Sequence, residues 1–142
     1  TYFFYKKIKR SALRMILEAL ESEMHPSKTE KRLEPKLTVE HLLPQDWQEN
    51  WPLPKYLTPE KEQEGVKLRN GILHTIGNLT LLTRQLNPSI SNGPWAQKRK
   101  EILTHSALNL NRTLPDEWNE LHIVRRSNDL FRYALQIWPY PS

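Results

Sequence analysis

Residues 38–45, TVEHLLPQ, form the stretch of the chain with the clearest potential for chemistry. Apolar residues typical of a buried strand flank two polar neighbours, Glu40 and His41. Pro44 ends this run, because proline cannot donate a hydrogen bond to a neighbouring strand. A carboxylate beside an imidazole is costly in an apolar strand unless the pair binds a ligand or takes part in a reaction. The alternative is a histidine at a strand end that hydrogen-bonds to a nearby carbonyl.

Polar amides accompany a second β-type run. Asn78 lies in a Gly-Asn turn directly before the run 79–83, which we expect to pair with the strand of TVEHLLP. A loop is expected over 84–93, and it contains Asn87 and Asn92. The pattern places a carboxylate, an imidazole and amides on two short strands and the loop that follows them.

Basic residues surround the start of the next helix, which is expected from about Pro94. Lys98, Arg99 and Lys100 lie on this helix, and Arg84 precedes it. These side chains could contact DNA phosphates, and Lys98 is the best candidate for reaching a phosphate in the site. The alternative is a solvated basic face of the helix.

Other side chains with possible functions also have structural interpretations. Tryptophans could stack on flipped bases, but a core position is commoner for aromatic residues in this kind of sequence. The tryptophans in question are Trp47, Trp51, Trp95 and Trp118. His74 is expected to be packed or to cap a turn, although it could face the site. Arg125 and Arg126 could touch DNA or simply face water.

The flanking sequence predicts helices and irregular segments around the strands. Leu13, Ile16, Leu17 and Leu20 repeat at helical spacing and mark one apolar stripe on the first helix. The expected elements are a helix over 4–23, a loop over 25–36, an aromatic loop over 46–57, a helix from Pro59 to about Leu68 or Ile72 with Thr58 as its N-cap, a polar linker over 106–114 and a last helix from Pro115 to about Trp138. The residues expected on or near the buried side of that last helix are Trp118, Leu121, Leu130, Ala134 and Ile137.

Composition limits the class of protein. The 142 residues are 37% hydrophobic with a net charge of +5, which suits one domain and an anionic partner such as DNA without requiring that partner. The absence of cysteine excludes disulfides and thiolate metal sites. No apolar run reaches the roughly eighteen residues of a membrane span, and no Walker-type phosphate loop is present. The start at Thr1, without Met, suggests a fragment of a longer protein.

The runs VEHLLPQ and HTIGNLTLLTRQLNPSISNGPWAQKRKEIL together resemble the C-terminal nuclease domain of GmrSD-type, modification-dependent restriction enzymes and, more broadly, the HNH or His-Me finger nucleases. The resemblance covers most of the chain from Thr38 to Trp138. It implies a mostly helical α+β fold with a central ββα finger, a short two-stranded hairpin plus a helix, between N- and C-terminal helices. It implies one domain over 1–142, divided into an N-terminal helix and loop (1–36), the finger with an inserted helix (37–105) and a C-terminal helix (106–142).

The resemblance also assigns roles to individual residues. His41 is expected to be the general base that takes a proton from water, and Asn78 is expected to hold its ring in orientation. One divalent ion, Mg²⁺ or Mn²⁺, is expected on Glu40 and Asn87. Asn92 is the alternative to Asn87, and the spacing from Asn78 favours Asn87. Glutamate stands where many HNH nucleases have aspartate, so the carboxylate has a longer reach.

The function implied by the resemblance is a metal-dependent DNA endonuclease, the effector part of a restriction or anti-phage defence enzyme, with Lys98 as a third catalytic residue. The alternative is a non-catalytic nucleic-acid-binding module. Expected partners are DNA, held through its phosphates with low sequence specificity, and an N-terminal NTPase or sensor domain of the same protein. The expected location is the cytoplasm of a bacterium or archaeon, with no membrane association.

Overall fold

A computed structural model describes the chain over residues 10–24, 36–55 and 58–139. Two short strands lie between helices, which confirms the mostly helical α+β fold. The elements are α1 (Arg10–Met24), β1 (Thr38–His41), α2 (Pro59–Ile72), a 3-10 turn (Ile76–Asn78), β2 (Leu79–Leu82), α3 (Pro88–Ser91), α4 (Trp95–His105), α5 (Asn109–Arg112) and α6 (Glu120–Ile137). The predicted helical residues before 10 and the loop over 25–35 lie outside the described residues. None of these helices combines the length and the apolar content needed to cross a membrane.

The strands β1 and β2 form a two-stranded antiparallel sheet, as the sequence predicts. In this register Glu40 lies opposite Thr80, and His41 lies opposite the first residue of β2. The N–H of Leu42 donates to the carbonyl of Asn78 at 2.8 Å, so the pairing continues one residue past β1. The sheet therefore brings Asn78 beside the residues that directly follow His41.

Two apolar clusters hold the sheet and helices together. The first joins α1, α6 and both strands through Leu13, Leu17, Leu20, Leu37, Val39, Leu79, Leu81, Leu108, Leu110 and Leu130. The predicted stripe of α1 is therefore confirmed, since three of its leucines are in this cluster and Ile16 packs against it. The second cluster contains Trp47, Trp51, Trp95 and Trp118 together with seven buried aliphatic residues. This confirms the prediction that the four tryptophans lie in the hydrophobic core.

The loop expected over 84–93 contains a short helix, α3. Asn87 caps this helix, because its Oδ1 accepts the N–H of Ile90 at 3.1 Å, and Pro88 occupies the first helical position. One helical turn is too short to produce a periodic apolar pattern, so only this capping sequence could have indicated it.

The polar linker expected over 106–114 also contains a helix, α5. The N–H groups of Asn109 and Leu110 donate to the carboxylate of Glu21 at 2.9 and 2.8 Å. Glu21 is a buried residue of α1, so the cap of α5 comes from a distant part of the chain. A local sequence pattern could not reveal it.

The helices α2 and α6 differ in how well their starts could be predicted. Thr58 caps α2 as expected, since its hydroxyl accepts the N–H of Lys61 at 3.2 Å. The helix α6 begins later than Pro115, because Asn119 is its N-cap and accepts the N–H of His122 at 3.2 Å. Leu121, expected on the buried side, is 54% exposed.

Candidate active site

His41 is the last residue of β1, and it is largely buried together with its neighbour Glu40. His41 is 7% exposed, and the side chain of Glu40 is 11% exposed. The ring of His74 packs edge-on against the ring of His41, with centroids 5.5 Å apart. The Nε2 of Gln45 lies 3.5 Å from the Nδ1 of His41, at the outer limit of a hydrogen bond. Side chains from the bend after β1 and from the turn after α2 therefore border the imidazole.

Lys98 of α4 is fully buried beneath these residues. Its Nζ donates to the carbonyls of His41 and Ser91 at 2.6 and 2.8 Å, and lies 3.0 Å from the Oε2 of Glu40. Burial lowers the pKa of Lys98, and the Glu40 carboxylate offsets part of that shift. An ammonium has three N–H donors, and three protein oxygens surround this one. Contrary to the prediction, Lys98 is therefore not placed to reach a DNA phosphate.

The carboxylate of Glu40 is bound asymmetrically. Its Oε2 accepts a hydrogen bond from the hydroxyl of Ser91 at 2.8 Å and pairs with Lys98. Within the described residues no hydrogen bond to Oε1 is formed. Two donors therefore fix the direction of the carboxylate and leave one oxygen available for a ligand.

Asn78 is fully buried, and its amide binds the backbone that follows His41. Its Oδ1 accepts the N–H of Leu43 at 2.8 Å and the indole N–H of Trp118 at 3.0 Å. Its Nδ2 donates to the carbonyls of Leu43 and Leu73 at 2.9 and 3.0 Å. These bonds correct the expectation that Asn78 holds the imidazole ring: it fixes the main chain two residues later.

The helix α6 in turn holds the turn that contains Asn78. The guanidinium of Arg126 donates to the carbonyls of Gly77 and Leu79 at 2.9 and 2.7 Å, and the Ser127 hydroxyl accepts the N–H of Gly77 at 2.9 Å. Burial lowers the pKa of Arg126 to about 10, so the side chain stays charged at neutral pH. Arg126 thus neither faces water freely nor is placed for DNA, whereas Arg125 is exposed.

The two candidate amide ligands, Asn87 and Asn92, lie at the two ends of α3. The Oδ1 of Asn87 caps that helix and also accepts the hydroxyl of Ser89 at 2.6 Å. Asn92 is half-buried and directly follows Ser91, whose hydroxyl binds Glu40. The structure thus brings α3 to the carboxylate through Ser91.

Of the other side chains predicted to contact DNA, two are exposed and one is held by contacts within the protein. Arg84 and Lys100 are exposed, as a contact with DNA requires. Arg99 is partly buried, because its Nε donates to the carbonyl of Leu114 at 3.0 Å and its Nη1 lies 3.3 Å from the Asp116 carboxylate. Arg99 therefore helps to hold α4 against the segment before α6.

Two contacts of the site were not predicted. Ser91 binds Glu40 across 51 positions, and Trp118 binds Asn78 across 40. No spacing in the sequence indicates such pairs. His74 is packed, as expected, and because it packs on the ring of His41 it also borders the site.

Comparison with known proteins identifies the family of this chain. No curated protein and no solved structure matched it. A family model, described as GmrSD restriction endonucleases, C-terminal domain, matches residues 2–133. That match spans most of the sequence and includes every residue of the site described above. The chain therefore belongs to the family of C-terminal domains of GmrSD restriction endonucleases.

Proposed function

We propose that this domain is a divalent-metal-dependent DNA endonuclease of the HNH type, with His41 as its general base. The observation that carries the proposal is that β1, β2 and the helical segment after β2 meet at one acid and one histidine. Glu40 and His41 end β1, Asn78 directly precedes β2, and α3 contacts Glu40 through Ser91. Membership of a restriction endonuclease family supports this assignment of the site.

The imidazole of His41 suits the proton-transfer step. A neutral imidazole has one unprotonated ring nitrogen, which can accept a proton from the water that attacks the phosphodiester. Packing against His74 restricts the ring, Lys98 binds the carbonyl of His41, and Asn78 binds the main chain two residues later. This immobilisation favours catalysis, because a general base must lie within hydrogen-bond reach of the proton that it removes.

The donor set fits a hard divalent cation that keeps several water ligands. Among the described residues no group of three or more histidine and acidic side chains could enclose an ion. Magnesium, however, is commonly bound by one or two carboxylates together with waters and substrate phosphate. The Oε1 of Glu40 would hold the ion together with the amide oxygen of Asn92, or with that of Asn87 in exchange for the hydrogen bonds it accepts from Ser89 and Ile90. When bound, it would stabilise the charge on the phosphate and on the leaving 3′-oxygen.

DNA would be bound mainly through its phosphates. The exposed Arg84 and Lys100 are the proposed contacts, and the net charge of +5 favours association with a polyanion. In this proposal recognition of modified DNA belongs to an N-terminal NTPase or sensor domain of the same protein. Restriction of foreign DNA would place the enzyme in the cytoplasm of a bacterium or archaeon.

Plasmid cleavage tests the proposal. The wild-type domain should nick or linearise DNA in Mg²⁺ or Mn²⁺ but not in EDTA, and His41→Ala should abolish cleavage. His105→Ala is the matched control, because His105 is exposed and pairs only with Glu101 on its own helix among the described residues. Binding of DNA without cleavage by the wild-type domain would instead favour a non-catalytic nucleic-acid-binding module.

A further inference from the structure

We propose that Lys98 is a positioning residue of the nuclease site, which fixes the Glu40 carboxylate and the His41 backbone without touching DNA. This inference rests on the proposed function. It replaces the expectation that Lys98 binds a phosphate.

The first argument is the set of elements that Lys98 connects. From α4 its Nζ reaches β1 through His41 and Glu40, and α3 through the carbonyl of Ser91. His41 and Lys98 are 57 positions apart. The buried ammonium of Lys98 therefore connects α3 and α4 to β1. The chain has no cysteine, so no disulfide or thiolate-bound zinc makes this connection.

The second argument concerns the carboxylate. Lys98 and Ser91 both bind the Oε2 of Glu40, so rotation of the carboxylate would break two polar contacts at once. The remaining oxygen, Oε1, is thereby directed to a constant position. Loss of Lys98 would leave a largely buried carboxylate with one neutral donor and no opposite charge at Oε2.

The third argument concerns the general base. The bond from Lys98 to the His41 carbonyl, at 2.6 Å, is the shortest of its three contacts. Asn78 fixes Leu43, which lies two residues after His41. The position of the imidazole therefore depends on Lys98, and a displacement of about 1 Å in an active site can lower a rate roughly 100-fold.

The experiment compares Lys98→Met with Lys100→Met, a matched control two positions away on the exposed surface of α4. The single-turnover cleavage rate is measured in Mg²⁺ with the domain in saturating excess over DNA. The dissociation constant for a DNA duplex is measured in EDTA over a series of salt concentrations. Circular dichroism and thermal unfolding report whether each variant is folded.

Lys98→Met is expected to lower the saturating rate about 100-fold, with the affinity for DNA and its salt dependence unchanged. Lys100→Met should instead weaken DNA binding and make the salt slope smaller by about one. A merely structural role would not separate rate from affinity in this way. A Lys98→Met domain that binds DNA more weakly, with a smaller salt slope, and cuts at the wild-type rate would overturn the proposal.

Lys98→Gln, which is polar and shorter, provides a second variant if Lys98→Met does not fold. Failure of both variants to fold would overturn the proposal, because Lys98 would then be a requirement of the fold alone. Failure of the proposed function is recognised separately, as a folded wild-type domain that cuts no DNA in any metal. That result would remove the nuclease role of Lys98 as well.

Discussion

Asn78→Ala should show how far the site depends on one buried amide. The substitution removes the acceptor for two buried N–H groups, those of Leu43 and Trp118, and the donor to the carbonyls of Leu43 and Leu73. An unsatisfied buried donor costs about 1–3 kcal/mol. We therefore expect the free energy of unfolding to fall by about 4 kcal/mol, a large part of the 5–15 kcal/mol that is typical of a domain.

Urea unfolding followed by tryptophan fluorescence measures this loss, and single-turnover cleavage measures its effect on the site. Asn111→Ala is the matched control, since Asn111 is also fully buried. Its Nδ2 donates to the carbonyl of Leu81 and to the Ser106 hydroxyl, and its Oδ1 accepts the Thr80 hydroxyl. That substitution leaves no backbone N–H without its acceptor, so the expected loss is about 1–3 kcal/mol.

The two variants should differ most in cleavage. After correction for the folded fraction, Asn78→Ala should cut about 100-fold more slowly, because the backbone after His41 is no longer fixed. Asn111→Ala should retain most of the wild-type rate. Equal rates for the two variants would refute the argument that Asn78 positions the general base. A loss of stability below about 1 kcal/mol for Asn78→Ala would refute the estimate made from its hydrogen bonds.

Two further predictions concern the surroundings of the site. Gly77→Ala should prevent normal folding, because the new Cβ would lie 2.1 Å from the carbonyl oxygen of Ile123. The readout is loss of the thermal unfolding transition. Gly71→Ala is the control and should fold normally, because nothing lies within 4 Å of its new Cβ. A stable Gly77→Ala domain would contradict the close approach of α6. His74→Ala should lower the cleavage rate about tenfold by removing an edge-on ring contact with His41. His74→Phe should restore most of that rate; equal loss in both variants would indicate a polar role for His74 instead.

Local signals in the sequence were sufficient for much of the fold. The apolar stripe of α1, the Thr58 cap of α2 and the pairing of β1 with β2 were all predicted and are confirmed. The stripe and the cap depend on residues close together in the chain. The pairing joins distant residues, Thr38 with Leu82, and was expected because the sequence contains two short strand-like runs. The short helices α3 and α5 were missed, because one turn gives no periodicity and because the cap of α5 is supplied by Glu21.

The sequence by itself indicated the candidate residues for the chemistry: an acid and a histidine at the end of β1, an amide in the turn directly before β2, and two amides at the ends of α3. Only the tertiary structure decided how they are held. Lys98 has the side chain of a typical phosphate ligand, yet folding buries it and surrounds its ammonium with oxygens of His41, Ser91 and Glu40. The physical reason is that a buried charge must be compensated by whatever groups the fold brings to it. Those partners lie between 7 and 58 positions away in the sequence, where no local pattern reveals them.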